Sequence, residues 1–336
     1  MHSRFANLSL EPKGKTFKHY LELPSNVQTE IINCMSADIR CRFSGCSQLT
    51  YREVRRSKNY VNEFKFVLDQ PDPYVEVRFG TDSDTHVGFR FTYIANCDSK
   101  YLKSENLRRR NLKMTPLDRT TNIINYSVEH ARGVLQKYQS RIKKLNIAIK
   151  DSRVKINRFD FGIENLKNLN ELVLHNVHNA QKVFSKTNKN LRIFMAISRM
   201  DNEITQDEQI YRVYGELIVP FVPFTPHQLT QLSAQRVSSH IGTLSEVDIF
   251  DFIYSWQTGA MNKDFVAFNW VLNSSDFNVS TLFELYGKVY EGNESQKIKI
   301  TQHKNAENSC VLYVDSAAFP VTYRILMLVN ENRYLR

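Results

Sequence analysis

Short apolar segments recur along the middle of this 336-residue chain, and they constrain its fold more than any other feature. The segments are Leu145–Ile149, Phe159–Phe161, Leu172–Leu174, Ile193–Ile197 and Leu217–Val219. Each is too short for a buried helix, and most are long enough for a strand. They begin 13 to 24 residues apart, which leaves room for a crossover between strands of the same direction. The pattern therefore predicts a parallel, curved sheet with short helices in its connections.

Leucines within this region have a spacing of their own. Leu166, Leu169, Leu172 and Leu174 are spaced as in a leucine-rich repeat. The segments do not keep one repeat length, however, so a mixed α/β sandwich is the alternative arrangement. In both cases the predicted fold class is mixed α/β (α+β), in which short strands and helices build one large domain.

Three segments ahead of this region alternate apolar and polar residues with the period of a strand. They are Tyr60–Leu68, Val75–Phe79 and Phe89–Tyr93. The alternation predicts strands with one buried and one wet face. The turn-forming residues of 80–88 predict an antiparallel hairpin between the last two strands. Residues 95–116 are polar and basic, so we expect an exposed loop or insertion there, with a sub-boundary of the large domain.

A long helix is predicted next, from about Leu117, because apolar residues recur three and four positions apart. These residues are Ile124, Val128, Ala131, Leu135, Tyr138 and Ile142. Gly133 lies within the helix, where glycine costs about 1 kcal/mol relative to alanine. We expect tight packing around Gly133 to explain its presence.

The C-terminal third predicts further short elements. We expect a helix that ends at Gly259, because glycine readily adopts the backbone conformation that follows a helix. A strand over 265–272 follows it, and then a second helix that reaches Val289. Two closing strands, 310–314 and 321–329, are expected to pair as an antiparallel edge of the sheet.

The N-terminal part of the chain carries helical signals instead. Ser25 and Gln28 fit a capping box that starts a helix, and Thr50 and Glu53 fit a second one. Apolar residues recur three to four positions apart between them. These residues are Val27, Ile31, Cys34, Met35, Ile39 and Phe43. We therefore expect a three-helix unit over 21–58.

The same stretch contains a run of short motifs in a fixed order. They are Leu23-Pro24, Met35-Ser36, Arg40, Phe43-Ser44 and Cys46-Ser47. With this run the stretch resembles an F-box, in particular the divergent F-boxes of nematode families that carry a C-terminal F-box-associated domain. A looser similarity to the helix–Trp–Gly–strand segment of those associated domains lies near 229–272.

The resemblance implies a substrate-recruiting subunit of a cullin-type ubiquitin ligase. The N-terminal helices would bind a Skp-type adaptor, and residues 59–336 would form an F-box-associated-like domain that binds a protein substrate. The adaptor-binding residues that it implies are Leu23, Pro24, Val27, Ile31, Met35, Ile39 and Phe43. Such a protein is not an enzyme; it raises the effective concentration of a substrate near a ubiquitin-charged enzyme. Without the resemblance, the same residues fit a helical subdomain packed on the core.

Composition narrows the class of protein further. A hydrophobic content of 42% is enough for a core and excludes a disordered chain. No apolar run reaches the roughly 18 residues that a membrane span needs, and Met1–Lys18 lacks the apolar core of a signal peptide. Residues 1–20 have no periodicity and predict a flexible arm. Five cysteines without paired zinc spacing indicate a reducing compartment, the cytoplasm or the nucleus.

The sequence holds no motif of an enzyme or a cofactor site. It lacks the nucleophile elbow, the dinucleotide and phosphate-binding glycine loops and the His-Glu-x-x-His pair. His175 and His178 lie three residues apart, but no carboxylate or cysteine accompanies them at ligand spacing. Asp82 and Asp84 are explained as turn formers. We therefore expect no catalytic residue, cofactor or metal, and an enzyme of an unrecognised class is the alternative.

Two basic clusters contribute much of the net charge of +10. The first consists of Lys100, Lys103, Arg108, Arg109, Arg110 and Lys113, and the second of Arg132, Lys137, Arg141, Lys143, Lys144, Lys150, Arg153, Lys155 and Arg158. A nucleic-acid-binding module that uses residues 100–158 is therefore the alternative function. Solvated helix faces and loops explain the clusters more simply, because only Tyr101 interrupts the first one as a stacking aromatic residue. A positive patch would also speed the encounter with an acidic protein substrate.

Overall fold

The chain forms two units, Met1–Asn59 and Tyr60–Arg336. The computed structural model describes residues 20–35, 39, 43, 46–48, 50, 61–69, 72–79, 88–96, 99–107, 110–150, 163–164, 166–177, 180–187, 190–197, 202–222, 224–240, 246–261, 264–273, 279–286, 289–291, 296–301, 309–317 and 322–329. Several predictions concern residues outside these ranges, namely the N-terminal arm, Glu53, Asp82, Asp84, Phe159, Phe161 and His178.

The first unit is helical where the structure describes it. A 3-10 turn spans Tyr20–Glu22, and helix α1 spans Ser25–Cys34. Tyr20 and Ile32 are buried and form the centre of a small core. The partly buried residues packed against them are Leu23, Ile31 and Phe43. Because the Tyr20 and Phe43 rings meet edge to face at 5.1 Å, the residues after α1 contribute to the same core.

The predicted capping box at the start of α1 is wrong. The N-cap residue is Pro24, which has an extended conformation, and Ser25 is the first helical residue. Ser25 is therefore one position beyond the N-cap, and the helix start has no side-chain cap hydrogen bond. The Pro24 carbonyl accepts hydrogen bonds from the N–H groups of Val27 and Gln28. The Gln28 side-chain amide instead donates to the Leu23 carbonyl at 2.8 Å, which fastens the helix to the residue before the proline.

Thr50 does not start a helix either. Its N–H donates to Ser47 Oγ at 3.1 Å, and the Ser47 N–H donates to Thr50 Oγ1 at 3.0 Å. This reciprocal pair is a capping arrangement that begins three residues before the predicted one. Gln48 and Thr50 accordingly are both helical.

The second unit is built on one sheet of 15 strands among the described residues. The strands are β1 (Val61–Leu68), β2 (Tyr74–Phe79), β3 (Gly88–Ala95), β4 (Lys100–Asn106), β5 (Leu112–Leu117), β6 (Ile142–Ile149), β7 (Glu171–His175), β8 (Ile193–Ile197), β9 (Glu216–Ile218), β10 (Arg236–His240), β11 (Ala267–Asn273), β12 (Val289–Glu291), β13 (Gln296–Thr301), β14 (Ser309–Ala317) and β15 (Thr322–Val329). Their order across the sheet is β12-β13-β14-β15-β11-β10-β9-β8-β7-β6-β1-β2-β3-β4-β5.

The middle of the sheet is parallel. Seven neighbouring strands, β1 and β6 to β11, pair in parallel, and β6 to β11 lie side by side in chain order. This confirms the parallel sheet that the apolar segments predicted. Each of the strands β7 to β11 lies beside the one that precedes it in the chain. Both ends are antiparallel: β1 to β5 form a meander, and β12 to β15 continue the sheet beyond β11.

Six helices of the second unit are described. They are α2 (Ile123–Tyr138), α3 (Ala180–Phe184), α4 (Glu208–Tyr211), α5 (Pro226–Gln231), α6 (Glu246–Thr258) and α7 (Val279–Tyr286). Two further 3-10 turns span Gln139–Arg141 and Asn202–Gln206. Helix α2 packs on β1, β2 and β3. On α3 the Phe184 ring stacks on Phe194 at 4.3 Å, and on α6 the Phe252 ring meets Phe268 at 4.8 Å. These helices share one hydrophobic core with the sheet.

Several sequence predictions about the second unit are wrong. Residues 95–116 contain the strands β4 and β5 of the same sheet instead of a loop. The helix expected from about Leu117 begins later, since Leu117 is the last residue of β5. Helix α2 begins at Ile123, after the Asn122 cap. Ile142 belongs to β6, and Val289 begins β12. The last two strands pair antiparallel as predicted, but they do not form the edge, because β13 and β12 extend the sheet past β14.

Candidate binding face of the sheet

The two faces of the sheet differ in chemistry because successive strand residues point to opposite sides. Phe66, Ile147 and Leu174 lie opposite one another on neighbouring strands and are buried in the core beneath the helices. The residues next to them in sequence belong to the other side, which we call the open face. Lys65, Asn146 and Val173 are partly exposed there, while Val67 and Ala148 on the same side are buried. One row across the open face runs through Arg90, Glu76, Lys65, Asn146, Val173, Met195 and Ile218.

Alternating charges occupy one part of the open face, from β3 to the start of β8. We call this set the charge ladder; in order, it consists of Arg90, Glu76, Arg78, Glu63, Lys144, Glu171 and Arg192. Lys144 Nζ lies 4.0 Å from Glu63 Oε1 and 3.2 Å from Glu171 Oε2, so it joins two carboxylates on either side of its own strand. Each carboxylate of the ladder contacts two cations, and the ladder therefore neutralises most of its own charge.

Glu76 is the most buried member of the ladder. Its side chain is 1% exposed, and its two oxygens accept hydrogen bonds from two arginines. Arg78 Nε lies 2.5 Å from Oε1, and Arg90 Nε lies 2.6 Å from Oε2. A buried carboxylate is tolerated when cations and hydrogen-bond donors surround it, which is the case here.

Two lysines of the open face are not part of the ladder. Lys65 Nζ lies 5.9 Å from the centre of the Tyr74 ring, and the Arg90 guanidinium lies 5.0 Å from the same ring. Lys103 lies opposite Thr92, the residue that faces Tyr74 across β2 and β3. Within the described part of the chain, neither lysine has a carboxylate at ion-pair distance. Their positive charges are therefore available to a ligand.

An aliphatic patch adjoins the charge ladder on the open face. It consists of Val173, Ile193, Met195, Ile197 and Ile218, which lie on the parallel strands β7, β8 and β9. All five side chains are partly exposed. Beyond β9 the face becomes polar again, with Asn269 Nδ2 at 3.3 Å from Ser238 Oγ. The patch is thus an apolar area between two polar ones.

Most strands of this face were predicted from the sequence, but β4 was not, and neither was the face itself. Glu63, Lys65 and Glu76 were recognised only as the polar partners in alternating segments. Their assembly depends on the pairing of β1 with both β2 and β6, whose partners lie far apart in the chain. The alternation was the only signal in these segments. It shows on which side of a strand each residue lies, but it does not show which strands are the neighbours.

The predicted adaptor-binding residues all lie in the first unit, on α1 and the residues around it. Pro24 is exposed, and Val27 and Ile39 are 36% and 37% exposed. The other four, Leu23, Ile31, Met35 and Phe43, are partly buried. Ile32 was not singled out from the sequence, yet it is fully buried in the small core. The buried side of α1 is therefore centred on Ile32, and Val27 lies on the outer side.

In the described part of the chain, burial is the main cause of most shifted pKa values. Tyr93 Oη lies 2.7 Å from His130 Nδ1, and burial raises the pKa of Tyr93 and lowers that of His130. This pair belongs to the packing of α2 on β3, since the Phe91 ring meets His130 at 4.7 Å. Burial, together with the charge of Lys150, lowers the pKa of His175. In the described ranges no group of His, Cys, Asp and Glu side chains could hold a metal ion.

The two basic clusters are distributed over several elements. Lys100 donates to the carbonyl groups of Arg119 and Thr121, and Lys144 belongs to the charge ladder. Lys150 pairs with Asp69 at 3.2 Å. Several of the basic residues that motivated the nucleic-acid hypothesis are therefore engaged within the protein.

Comparisons with protein-family models, with curated proteins and with solved structures found no match. The F-box resemblance of residues 21–56 therefore stays a prediction, carried by the motifs alone. Among the helices that the structure describes, none has the length and apolar character needed to cross a membrane.

Proposed function

We propose that this chain is a non-catalytic, substrate-recruiting subunit of a cullin-type ubiquitin ligase. The first unit binds a Skp-type adaptor, and the second unit binds a protein substrate. The proposal is supported by the F-box-like motifs of residues 21–56 and by the separation of the chain into a small helical unit and a large sheet unit. The ligase would act by holding the substrate close to the ubiquitin-charged enzyme.

One observation carries the adaptor half of the proposal. Helix α1 buries Ile32 in its own small core and leaves Val27 more than a third exposed, together with Pro24 before it. Pro24 and Val27 therefore lie on the surface of the first unit, where a partner protein can contact them. A helix that presents such residues is the kind of surface that docks into a groove of another protein.

The test is a binding titration of the full chain against a purified Skp-type adaptor. We expect Val27→Ala to raise the dissociation constant by about tenfold, since truncation of an interface residue costs on the order of 1–3 kcal/mol. Its thermal unfolding should stay unchanged because Val27 lies outside the small core. Asn26→Ala, at an exposed polar neighbour, is the matched control and should bind as the wild type does.

The outcome that contradicts the proposal is equal adaptor binding by the wild type and the Val27→Ala variant, or no binding by either. A triple Leu23→Ala, Pro24→Ala and Ile31→Ala variant extends the test to the partly buried residues. The nucleic-acid alternative is examined with the same protein, since it requires binding of RNA or DNA that weakens steeply as the salt concentration rises.

A further inference from the structure

We propose that the open face binds an extended, acidic segment of the partner protein and takes an aliphatic side chain of that segment on the aliphatic patch. This inference rests on the proposed function, because it names the substrate surface and the chemistry that the surface recognises. Three observations carry it: the aliphatic patch, the two lysines outside the charge ladder and the distance between them.

The aliphatic patch supplies the apolar half of the site. Met195 lies at its centre, opposite Val173 on one neighbouring strand and Ile218 on the other. These side chains are separate from the hydrophobic core, to which the alternate residues Phe194 and Leu172 belong. Partly exposed aliphatic residues on three adjacent strands gain free energy when a partner covers them, at about 25 cal/mol per Å² of apolar surface.

The charges of the open face determine which charge the bound segment should carry. Six cations and four carboxylates lie on this face, on strands β1 to β7 or directly before β8, which leaves a net charge of +2; the cations are Lys65, Arg78, Arg90, Lys103, Lys144 and Arg192, and the carboxylates Glu63, Glu76, Glu105 and Glu171. The charge ladder holds four of these cations and three of the carboxylates, a net charge of +1, and Lys65 and Lys103 with Glu105 contribute the other +1. An acidic group is the complement of such a surface, and it adds a charged hydrogen bond to Lys65 beside the Tyr74 ring.

The distance between Lys65 and the aliphatic patch determines how far apart the acidic and the aliphatic residue of the bound segment should be. Lys65 on β1 and Met195 on β8 belong to one row and are separated by three strand intervals. Strands lie about 4.8 Å apart, so the interval is about 14 Å, which roughly four extended residues span. The expected motif is therefore an acidic residue about four positions from an aliphatic one. The acidic residue of the motif is an aspartate or a glutamate, whose carboxylate complements the charge of Lys65.

A peptide selection tests the proposal directly. The full-length protein is used to select from a library of random 12-residue peptides, and enriched peptides are synthesised and titrated. We expect them to share an acidic and an aliphatic residue about four positions apart. Lys65→Gln and Met195→Gln should each raise their dissociation constants by about tenfold. Lys186→Gln and Val247→Gln, at exposed positions on a turn and on helix α6, are the matched controls and should leave binding unchanged.

A double-mutant cycle assigns the contact to Lys65. Replacing the acidic residue of the peptide by its amide should weaken binding to the wild type by about tenfold and should have little further effect on Lys65→Gln. Resynthesis with phosphoserine at that position shows which acidic group the face prefers.

The inference is overturned if no peptide is enriched, if the enriched peptides lack the motif, or if they bind Lys65→Gln and Met195→Gln as tightly as the wild type. Thermal unfolding of each variant excludes misfolding as the cause of a loss. Adaptor binding, which depends on α1, is measured on the same preparations. Loss of peptide recognition with intact adaptor binding separates a failure of this inference from a failure of the proposed function.

Discussion

Gly133 lies on the exposed side of helix α2, where a Cβ atom would meet no other atom within 4 Å. The tight packing that the sequence suggested is therefore wrong, and no contact requires a glycine. We expect Gly133→Ala to raise the free energy of unfolding by about 0.5–1 kcal/mol, because alanine loses less backbone entropy on forming a helix. Urea unfolding followed by circular dichroism measures the change.

Gly259 is the matched control for this prediction. It ends helix α6 with φ at +74°, a backbone conformation that an L side chain rarely adopts. Gly259→Ala should lower the free energy of unfolding by about 1 kcal/mol, although its Cβ atom also meets nothing within 4 Å. A stabilising effect of both substitutions would show that the backbone conformation is not the deciding factor.

The orientation of helix α1 shows what the spacing of apolar residues does not determine. Val27, Ile31 and Met35 were placed on one apolar face of α1 because of their three- and four-residue spacing. The structure buries Ile32 instead and leaves Val27 exposed. Both residues are aliphatic, so their pattern fits either orientation of the helix, and the contact of Ile32 with Tyr20 selects one of them.

Among the secondary-structure elements, strands that contribute residues to the core were predictable from the sequence, and strands without a buried face were not. Strands β6 and β8 were predicted within a few residues of their observed ends, because each contains a short apolar segment that contributes residues to the core. Strands β4 and β5 were missed because neither has a buried face. Pro116 in β5 strengthened the impression of a loop, yet proline is compatible with an edge strand.

The charge ladder gives a prediction at this scale. Glu76→Gln removes the carboxylate that two arginines share in a buried position, and it leaves their charges close together without compensation. We expect the free energy of unfolding to fall by about 2 kcal/mol, the usual contribution of a hydrogen bond to a charged group. Chemical denaturation at low and high salt measures the effect.

The exposed pair of Glu208 and Arg212 is the control for the ladder. These side chains lie one turn apart on and after α4, at 2.9 Å, and are mostly in solvent. Glu208→Gln should therefore change the free energy of unfolding by only ~0.3 kcal/mol. Equal losses for Glu76→Gln and Glu208→Gln would mean that burial does not strengthen the ladder.

For the whole molecule, the separation into two units leads to a further prediction. A fragment that spans residues 60–336 contains the complete sheet and its core. We expect it to unfold cooperatively, to keep the binding of selected peptides and to lose adaptor binding. Differential scanning calorimetry and the two binding titrations check these three results. Unfolding of the fragment at room temperature would show that the sheet unit depends on the N-terminal unit.

The architecture as a whole was only partly determined by the sequence. Recurring apolar segments indicated parallel strands with short connections, and this is what the structure contains. The pairing of β1 with β6 was not foreseeable, because 73 residues separate Leu68 from Ile142 and local patterns do not reveal which distant strand is the neighbour. The open face depends on this pairing, since it brings Lys65 next to Asn146 and into the same row as the aliphatic patch.

The parallel middle of the sheet, whose strands follow chain order, has a consequence for how proteins of this design can vary. Duplication or loss of one strand with its crossover between β7 and β10 would widen or narrow the binding surface by about 4.8 Å, while both antiparallel ends kept their own partners. Such a scaffold can change the width of its open face in single-strand increments, without redesign of its termini.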